Sequence, residues 1–229
     1  MTLLGLDPVA ADPATKETVL ITGASSGIGA ALAKRFAADG STVLLTARRA
    51  DRLRQLSDEL RSRFGVQTDE LAYDLAAHAG PRELVEQIRA SGRTVDVLVN
   101  NAGFGLLGAF WTRPVSEQMQ VIQLNVAALT ELTGHFLPGM IERGRGGVLN
   151  VSSTTAFQPG PGMAVYFASK AYVQRFSEAL AYELRETPIT VTALAPGPVQ
   201  TEFGNRSGMS EHRPRRRNMM TADRVAEIG

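Results

Sequence analysis

The chain has 229 residues, 44% of them apolar, with 24 Lys and Arg against 23 Asp and Glu and a net charge of +1. So even a balance gives no broad electrostatic footprint for DNA, RNA or an anionic membrane. The absence of Cys excludes disulfides, thiolate metal sites and redox thiols, and the three His (His78, His135, His212) fall in no ligating spacing, so no metal is expected.

Residues 1–17 carry acids and prolines but no basic start followed by a long apolar run. They read as an irregular tail rather than a secretory signal. No stretch approaches the roughly 18–20 apolar residues of a membrane-spanning helix. A soluble, cytoplasmic protein is expected. Residues 18–229 contain no internal repeat and no low-complexity linker, so they read as a single domain.

Six short apolar runs rich in β-branched residues recur along that domain: Thr18–Thr22, Thr42–Thr46, Val66–Tyr73, Val95–Asn100, Gly147–Ser152 and Ile189–Ala195. Each is about a strand long and apolar nearly throughout, as expected of strands covered on both faces. Between them, Gly27–Asp39, Ala50–Phe64, Pro81–Gly92, Pro114–Arg143 and Met163–Glu186 fit helices. In the second of these, Leu53, Leu56 and Leu60 form one apolar face. The alternation predicts an α/β fold with a doubly wound parallel sheet. Pro196–Met220, rich in Pro, Gly, Asn and Arg, predicts a long loop, and Thr221 predicts the N-cap of a final helix ending at Ile228. No seventh strand follows, which would leave the sixth as a sheet edge.

The first strand runs into Gly23-Ala-Ser25-Ser26-Gly27-Ile28-Gly29, then a helix. Glycines there permit a tight turn and close approach of a pyrophosphate to a helix N-terminus. The spacing G-x3-G-x-G is neither GxGxxG nor a Walker loop, and alone it is equally a plain chain reversal. Asn100-Asn101-Ala102-Gly103 lies at the carboxyl end of the fourth strand, where ligands bind in open α/β sheets.

Tyr166 and Lys170 stand four apart, on one face of a helix. With 4 Tyr and only 3 Lys in the chain, roughly 0.05 such pairs arise by chance. A nearby cation favours the phenolate, which makes Tyr166 a candidate acid or base; the plainer alternative is a ring packed over a lysine stem. Ser153 ends the fifth strand thirteen residues before Tyr166, with Ser152 a competing candidate. Asn125 sits inside an apolar helical segment, where an amide needs partners, whether catalytic or merely backbone. The second strand ends in Thr46-Ala47-Arg48-Arg49 with no acid for a ribose 2′-OH. Arg48 suits a 2′-phosphate instead, with Arg49 and Arg52 adding positive field, although the same residues fit a solvated helix start.

Taken together, Thr22–Gly29, Asn100–Gly103, Asn125, Ser153, Tyr166–Lys170 and Pro196–Thr201 resemble the short-chain dehydrogenase/reductase family in its compact form, over nearly all of residues 18–221. The resemblance implies strand order 3-2-1-4-5-6 and an NADP(H)-dependent oxidoreductase working on a small carbonyl or alcohol. It implies a catalytic set of Asn125, Ser153, Tyr166 and Lys170. Ser153 would orient the substrate oxygen, Tyr166 would protonate it, Lys170 would lower the tyrosine pKa and bind the ribose, and Asn125 would hold a relay water. It assigns cofactor contacts to Gly23, Ser25, Ser26, Gly27, Ile28, Gly29, Arg48, Arg49, Asp74, Leu75, Asn101, Ala102, Gly103, Pro196, Gly197, Val199 and Thr201, as well as to Tyr166 and Lys170. Asp74 would meet the adenine and Thr201 the carboxamide. Phe104, Phe157, Met163 and Phe203, with Met209 beyond them, would line an apolar pocket. The Arg213–Arg217 cluster would either meet an acidic substrate or simply be solvated. The helices of Asn125 and Tyr166 would pair two copies into a homodimer. Alcohol oxidation, or cofactor binding without turnover, are the alternative readings.

Overall fold

The computed structural model describes residues 16–206 and 219–229. Six parallel strands form one sheet: β1 Thr18–Thr22, β2 Thr42–Ala47, β3 Thr68–Ala72, β4 Val97–Asn100, β5 Gly147–Val151 and β6 Thr190–Leu194. Their order is β3-β2-β1-β4-β5-β6, as expected. The chain order reverses between β1 and β4, and that crevice is where such sheets bind ligands.

Helices cover both faces. Val19, Ile21, Val43 and Leu45 point to one face, with Leu32 of α1 (Gly27–Ala38), Leu53, Leu56 and Leu60 of α2 (Ala50–Phe64) and, at the chain's end, Val225. Leu20, Leu44, Leu98 and Val148 point to the other. There they meet Leu84 and Ile88 of α3 (Gly80–Ala90) and Leu132, Phe136 and Met140 of a later helix. Strand side chains alternate in direction, so the inner strands β1, β2, β4 and β5 are buried at nearly every position to fill both layers, while the edge strands β3 and β6 are half-exposed. Each fully buried leucine contributes about 2 kcal/mol.

The expected helix Pro114–Arg143 is helical throughout but not uniform. It comprises α4 (Val115–Ile122), a π-helical stretch Gln123–Ala128 that holds Asn125, and α5 (Leu129–Arg143). Helix α6 spans Ala164–Glu183. The loop expected over Pro196–Met220 is partly ordered: β7 (Val199–Gln200) and the short α7 (Phe203–Arg206) lie within it, and β7 pairs with β8 (Met220–Thr221). Met209 and Arg213–Arg217 lie outside the described residues. The last helix, α8 (Ala222–Ile228), is capped by Thr221, whose hydroxyl accepts from Arg224 N at 3.2 Å. Strand β6 has one partner, β5, among the described residues. No described helix is long and apolar enough to cross a membrane.

A buried polar chain ties β4 and β5 to the helices behind them. Asn100 Nδ2 donates to Asn150 Oδ1 (2.9 Å) and to Thr133 Oγ1 (3.1 Å), and Asn150 Nδ2 donates to Ser177 Oγ (2.9 Å). Asn150→Ala strips two of these groups of their partner in a dry interior. Thermal unfolding is expected to show a loss of about 2–3 kcal/mol, a fall of about 5–10 °C in Tm.

Candidate active site

Strand β1 delivers the chain into the glycine turn, and Thr22 fixes that turn against β4. Its Oγ1 accepts from the backbone N–H groups of Asn101 and Ala102, each at 2.9 Å, while Asn101 Nδ2 donates to Thr22 O at 2.8 Å. Gly23 and Gly27 take left-handed φ values of +67° and +59°, which only glycine adopts without strain. A Cβ on Gly27 would lie 3.0 Å from Thr201 Cγ2, so the segment after β6 rests directly on the turn. Ser26 is the N-cap of α1 but makes no side-chain capping bond. Helix α1 therefore presents N–H groups free of a side-chain cap, and the turn fits a dinucleotide pyrophosphate.

Ser25 and Ser26 are instead held from above. Arg49 Nη2 donates to Ser25 Oγ (3.0 Å) and Ser26 Oγ (2.9 Å), and Arg49 Nη1 meets Glu202 Oε2 at 2.9 Å. Arg52 reaches the other oxygen of Glu202 at 3.9 Å. Arg49 is expected as a cofactor contact that adds positive field. In the structure it ties the phosphate turn to the segment after β6, through an acid that sequence reasoning missed. Arg48 is exposed, with its nearest acid Asp74 at 3.9 Å. It is the looser of the two guanidinium groups and suits an incoming phosphate. Asp74 also accepts from Ala76 N at 3.0 Å, and Leu75 beside it is buried.

The four expected catalytic residues converge beyond the ends of β4 and β5. Asn125 is almost fully buried, and the π-helical stretch turns it onto the loop after β4. Its Oδ1 accepts from Phe104 N (3.1 Å), and its Nδ2 donates to Phe104 O and Ser169 Oγ (both 3.0 Å). The amide thus clamps the Gly103–Phe104 loop. Lys170 is buried and donates to Val151 O at 2.7 Å. A Cβ on Gly103 would lie 3.1 Å from Asn125 Oδ1 and 3.6 Å from Lys170 Nζ, so Gly103 keeps this corner open.

The two serines are distinguished by their partners. Ser152 is buried and its hydroxyl donates to Lys170 O at 3.3 Å. Ser153 faces the cleft, with a long bond to Pro196 O (3.4 Å) and a backbone N–H from Thr155 (3.2 Å).

Burial pushes the Tyr166 phenol above the usual tyrosine value, and the hydroxyls of Ser153 and Thr155 pull it back. The expected lowering of that pKa by the lysine cation does not emerge: dehydration dominates, opposed by the two neighbouring hydroxyls. Burial also lowers Lys170, to about 8. Of the expected pocket residues, Phe203 packs tilted on the Tyr166 ring at 5.2 Å, and Met163 lies at the start of the same helix. Phe104 contributes through its backbone. Phe157 is exposed, so it stands outside the packed wall.

Residues 17–211 match the short chain dehydrogenase family model. A short chain dehydrogenase of Pseudocercospora fijiensis is 40% identical over 190 residues, 82% of this chain and 61% of that protein, so this chain spans less than two thirds of it. The NADP-dependent 3-hydroxy acid dehydrogenase YdfG of Salmonella typhi is 40% identical over 189 residues, 82% of this chain and 75% of that one. Among solved structures, a short-chain dehydrogenase from Sphingobium yanoikuyae in complex with NADPH superposes with a TM-score of 0.86 at 36% identity, covering 92% of this chain and 82% of that one.

Proposed function

The chain belongs to the short-chain dehydrogenase/reductase family, and on that premise we propose that it reduces a ketone, aldehyde or 3-oxoacyl carbonyl to an alcohol with NADP(H). One observation supports a proton donor at this place: burial raises the Tyr166 phenol above its usual value, so it carries its proton at neutral pH. When bound, the dinucleotide supplies the hydride that reaches the carbonyl carbon. Ser153 donates a hydrogen bond to the carbonyl oxygen and orients it. Tyr166 then gives its phenolic proton to that oxygen. Lys170, held by Val151 O, places a positive charge one turn along the helix from the phenolate that results. Asn125 acts by fixing the loop that shapes this corner.

The sign of the pH dependence follows. Reduction needs the phenol, so its rate holds through neutral pH and falls as the pH rises through the phenol's pKa. Oxidation of the alcohol needs the phenolate and rises over the same range. A pH series in both directions checks this; a reduction rate that increases with alkalinity overturns the direction. Should oxidation be the cellular direction, the same residues serve in reverse.

Arg48 carries the preference for NADP(H) over NAD(H), since an exposed guanidinium held only by a long, exposed pairing with Asp74 is available to a 2′-phosphate. Ser25, Ser26 and Arg49 stand beside it. Arg48→Ala is expected to raise KM for NADPH about 10–100-fold, with little change for NADH. Wild-type kinetics that favour NADH overturn the assignment. Gly23, Gly27, Ile28 and Gly29 would hold the pyrophosphate, and Asp74, Leu75, Asn101, Ala102 and Gly103 the nucleoside side. Pro196, Gly197, Val199 and Thr201 would cover the nicotinamide.

The substrate wall of Met163 and Phe203 suits an apolar carbonyl compound. We read residues 18–229 as one domain, and the lack of Cys suits the reducing cytoplasm. Val115, Met119 and Ile122 on α4 and Tyr172 and Tyr182 on α6 are exposed apolar residues on the helices expected to pair, which supports a homodimer. The test of the whole reading is loss of the NADPH absorbance against a panel of ketones, aldehydes and 3-oxoacyl thioesters. Firm NADPH binding with no turnover on any of them sinks it in favour of a binding protein.

A further inference from the structure

Two residues past Ser153, the 3-10 turn Thr154–Phe157 carries another hydroxyl into the site. Thr155 donates its backbone N–H to Ser153 Oγ at 3.2 Å, which locks the turn onto the serine. Its own Oγ1 is buried and has no hydrogen-bond partner among the described residues. A dry hydroxyl without a partner is unfavourable in a folded protein and calls for a reason. The turn packs against α6, the helix that carries Tyr166, and the Thr155 hydroxyl acts on the phenol together with that of Ser153.

A count of protons gives the reason. A serine hydroxyl has one proton to donate. If Ser153 spends it on the substrate oxygen, it has none for the tyrosine. The phenolate left after proton transfer then sits in a buried site without Ser153 as a donor. We propose that Thr155 is a positioning residue for Tyr166, its hydroxyl donating a hydrogen bond to the phenolate oxygen while Ser153 holds the substrate. This deepens the reading of Tyr166 as the proton donor and rests on it.

Among the described residues, the groups around the tyrosine ring are few. Ser153 and Thr155 act on its hydroxyl from the turn after β5, Phe203 meets the ring from α7, Gly105 from the loop after β4, and Lys170 lies one turn along α6. Lys170 is the charged member of that set and is already bonded to Val151 O. A change at Thr155 leaves that bond in place, so its effect reads on the phenol.

Thr155→Val keeps the side-chain shape and removes the hydroxyl; Thr155→Ser keeps the hydroxyl. The readout is the ionisation of Tyr166 in the NADP+-bound protein, followed by NMR of ring-labelled tyrosine and assigned by its loss in Tyr166→Phe. A second readout is the pH profile of carbonyl reduction with the fastest compound of the panel. In Thr155→Val both transitions are expected to move up by about one pH unit, while Thr155→Ser stays close to wild type. Thr155→Ala repeats the test should valine disturb the turn. An unmoved transition in both Thr155→Val and Thr155→Ala, beside an inactive Tyr166→Phe, overturns the proposal alone. An equal shift in Thr155→Ser points to packing and also overturns it. Wild-type turnover in Tyr166→Phe overturns the proposal and the reading beneath it together.

Discussion

Tyr166→Phe is expected to lower carbonyl reduction by about 10³-fold or more, while NADPH binding measured by fluorescence titration changes little. The substitution removes one oxygen and leaves the ring, so the packing on Phe203 survives. Folding is not at issue, because the lost group is a partly desolvated hydroxyl whose burial already raises its pKa. The loss should appear in kcat, since the phenol acts on the oxygen as charge develops there. Ser152→Ala gives the contrast. That hydroxyl points back to Lys170 O, so its removal should cost far less turnover than removal of the Ser153 hydroxyl. Equal losses at the two serines contradict the assignment.

Gly29→Ala is expected to abolish tight NADPH binding and to destabilise the fold. A methyl at this position would lie 2.5 Å from Asn101 Nδ2 and 2.6 Å from Gly23 O. The second contact is backbone, which cannot swing aside as a flexible side chain would. Relief requires the turn to part from the end of β4, and with it the bonds from Asn101 to Thr22. Overpacking of this kind costs about 1–3 kcal/mol. The binding loss should exceed the stability loss, because a displaced turn no longer offers its N–H groups to a pyrophosphate. Calorimetric binding alongside thermal unfolding separates the two; unchanged NADPH affinity in a folded Gly29→Ala protein argues against this turn as the phosphate site.

Much of this architecture is legible in the sequence. Strand Thr18–Thr22 and helix Ala50–Phe64 have the bounds that the apolar run and the leucine spacing imply. Strand β3 is shorter than the run Val66–Tyr73, because an apolar residue can flank a strand without joining its ladder. The π-helical stretch is invisible to hydrophobic periodicity, since its residues are as apolar as those around it. In the site, the spacing of Tyr166 and Lys170 implies one helix, and both lie on α6, but their proton affinities depend on burial. Thr155 carries no sequence signal: a threonine in a turn is commonplace until its oxygen proves dry and unpaired. The Arg49–Glu202 pair joins positions 153 residues apart, a separation no local pattern can bridge.

Helix phase makes the Asn125 corner sensitive to chain length. A π-helical stretch winds more residues per turn than the α-helices on either side of it. The stretch Gln123–Ala128 takes one residue more than α winding needs for the same rotation, so a further residue added at α winding would rotate α4 against α5 by about 100°. Asn125 would lose Phe104 and Ser169, or the apolar residues of α5 would leave the sheet. Substitutions here can be absorbed one side chain at a time, whereas a change in length shifts every downstream contact at once. Evolution of this segment is therefore expected to proceed by replacement at constant length, with insertions and deletions confined to the surrounding loops.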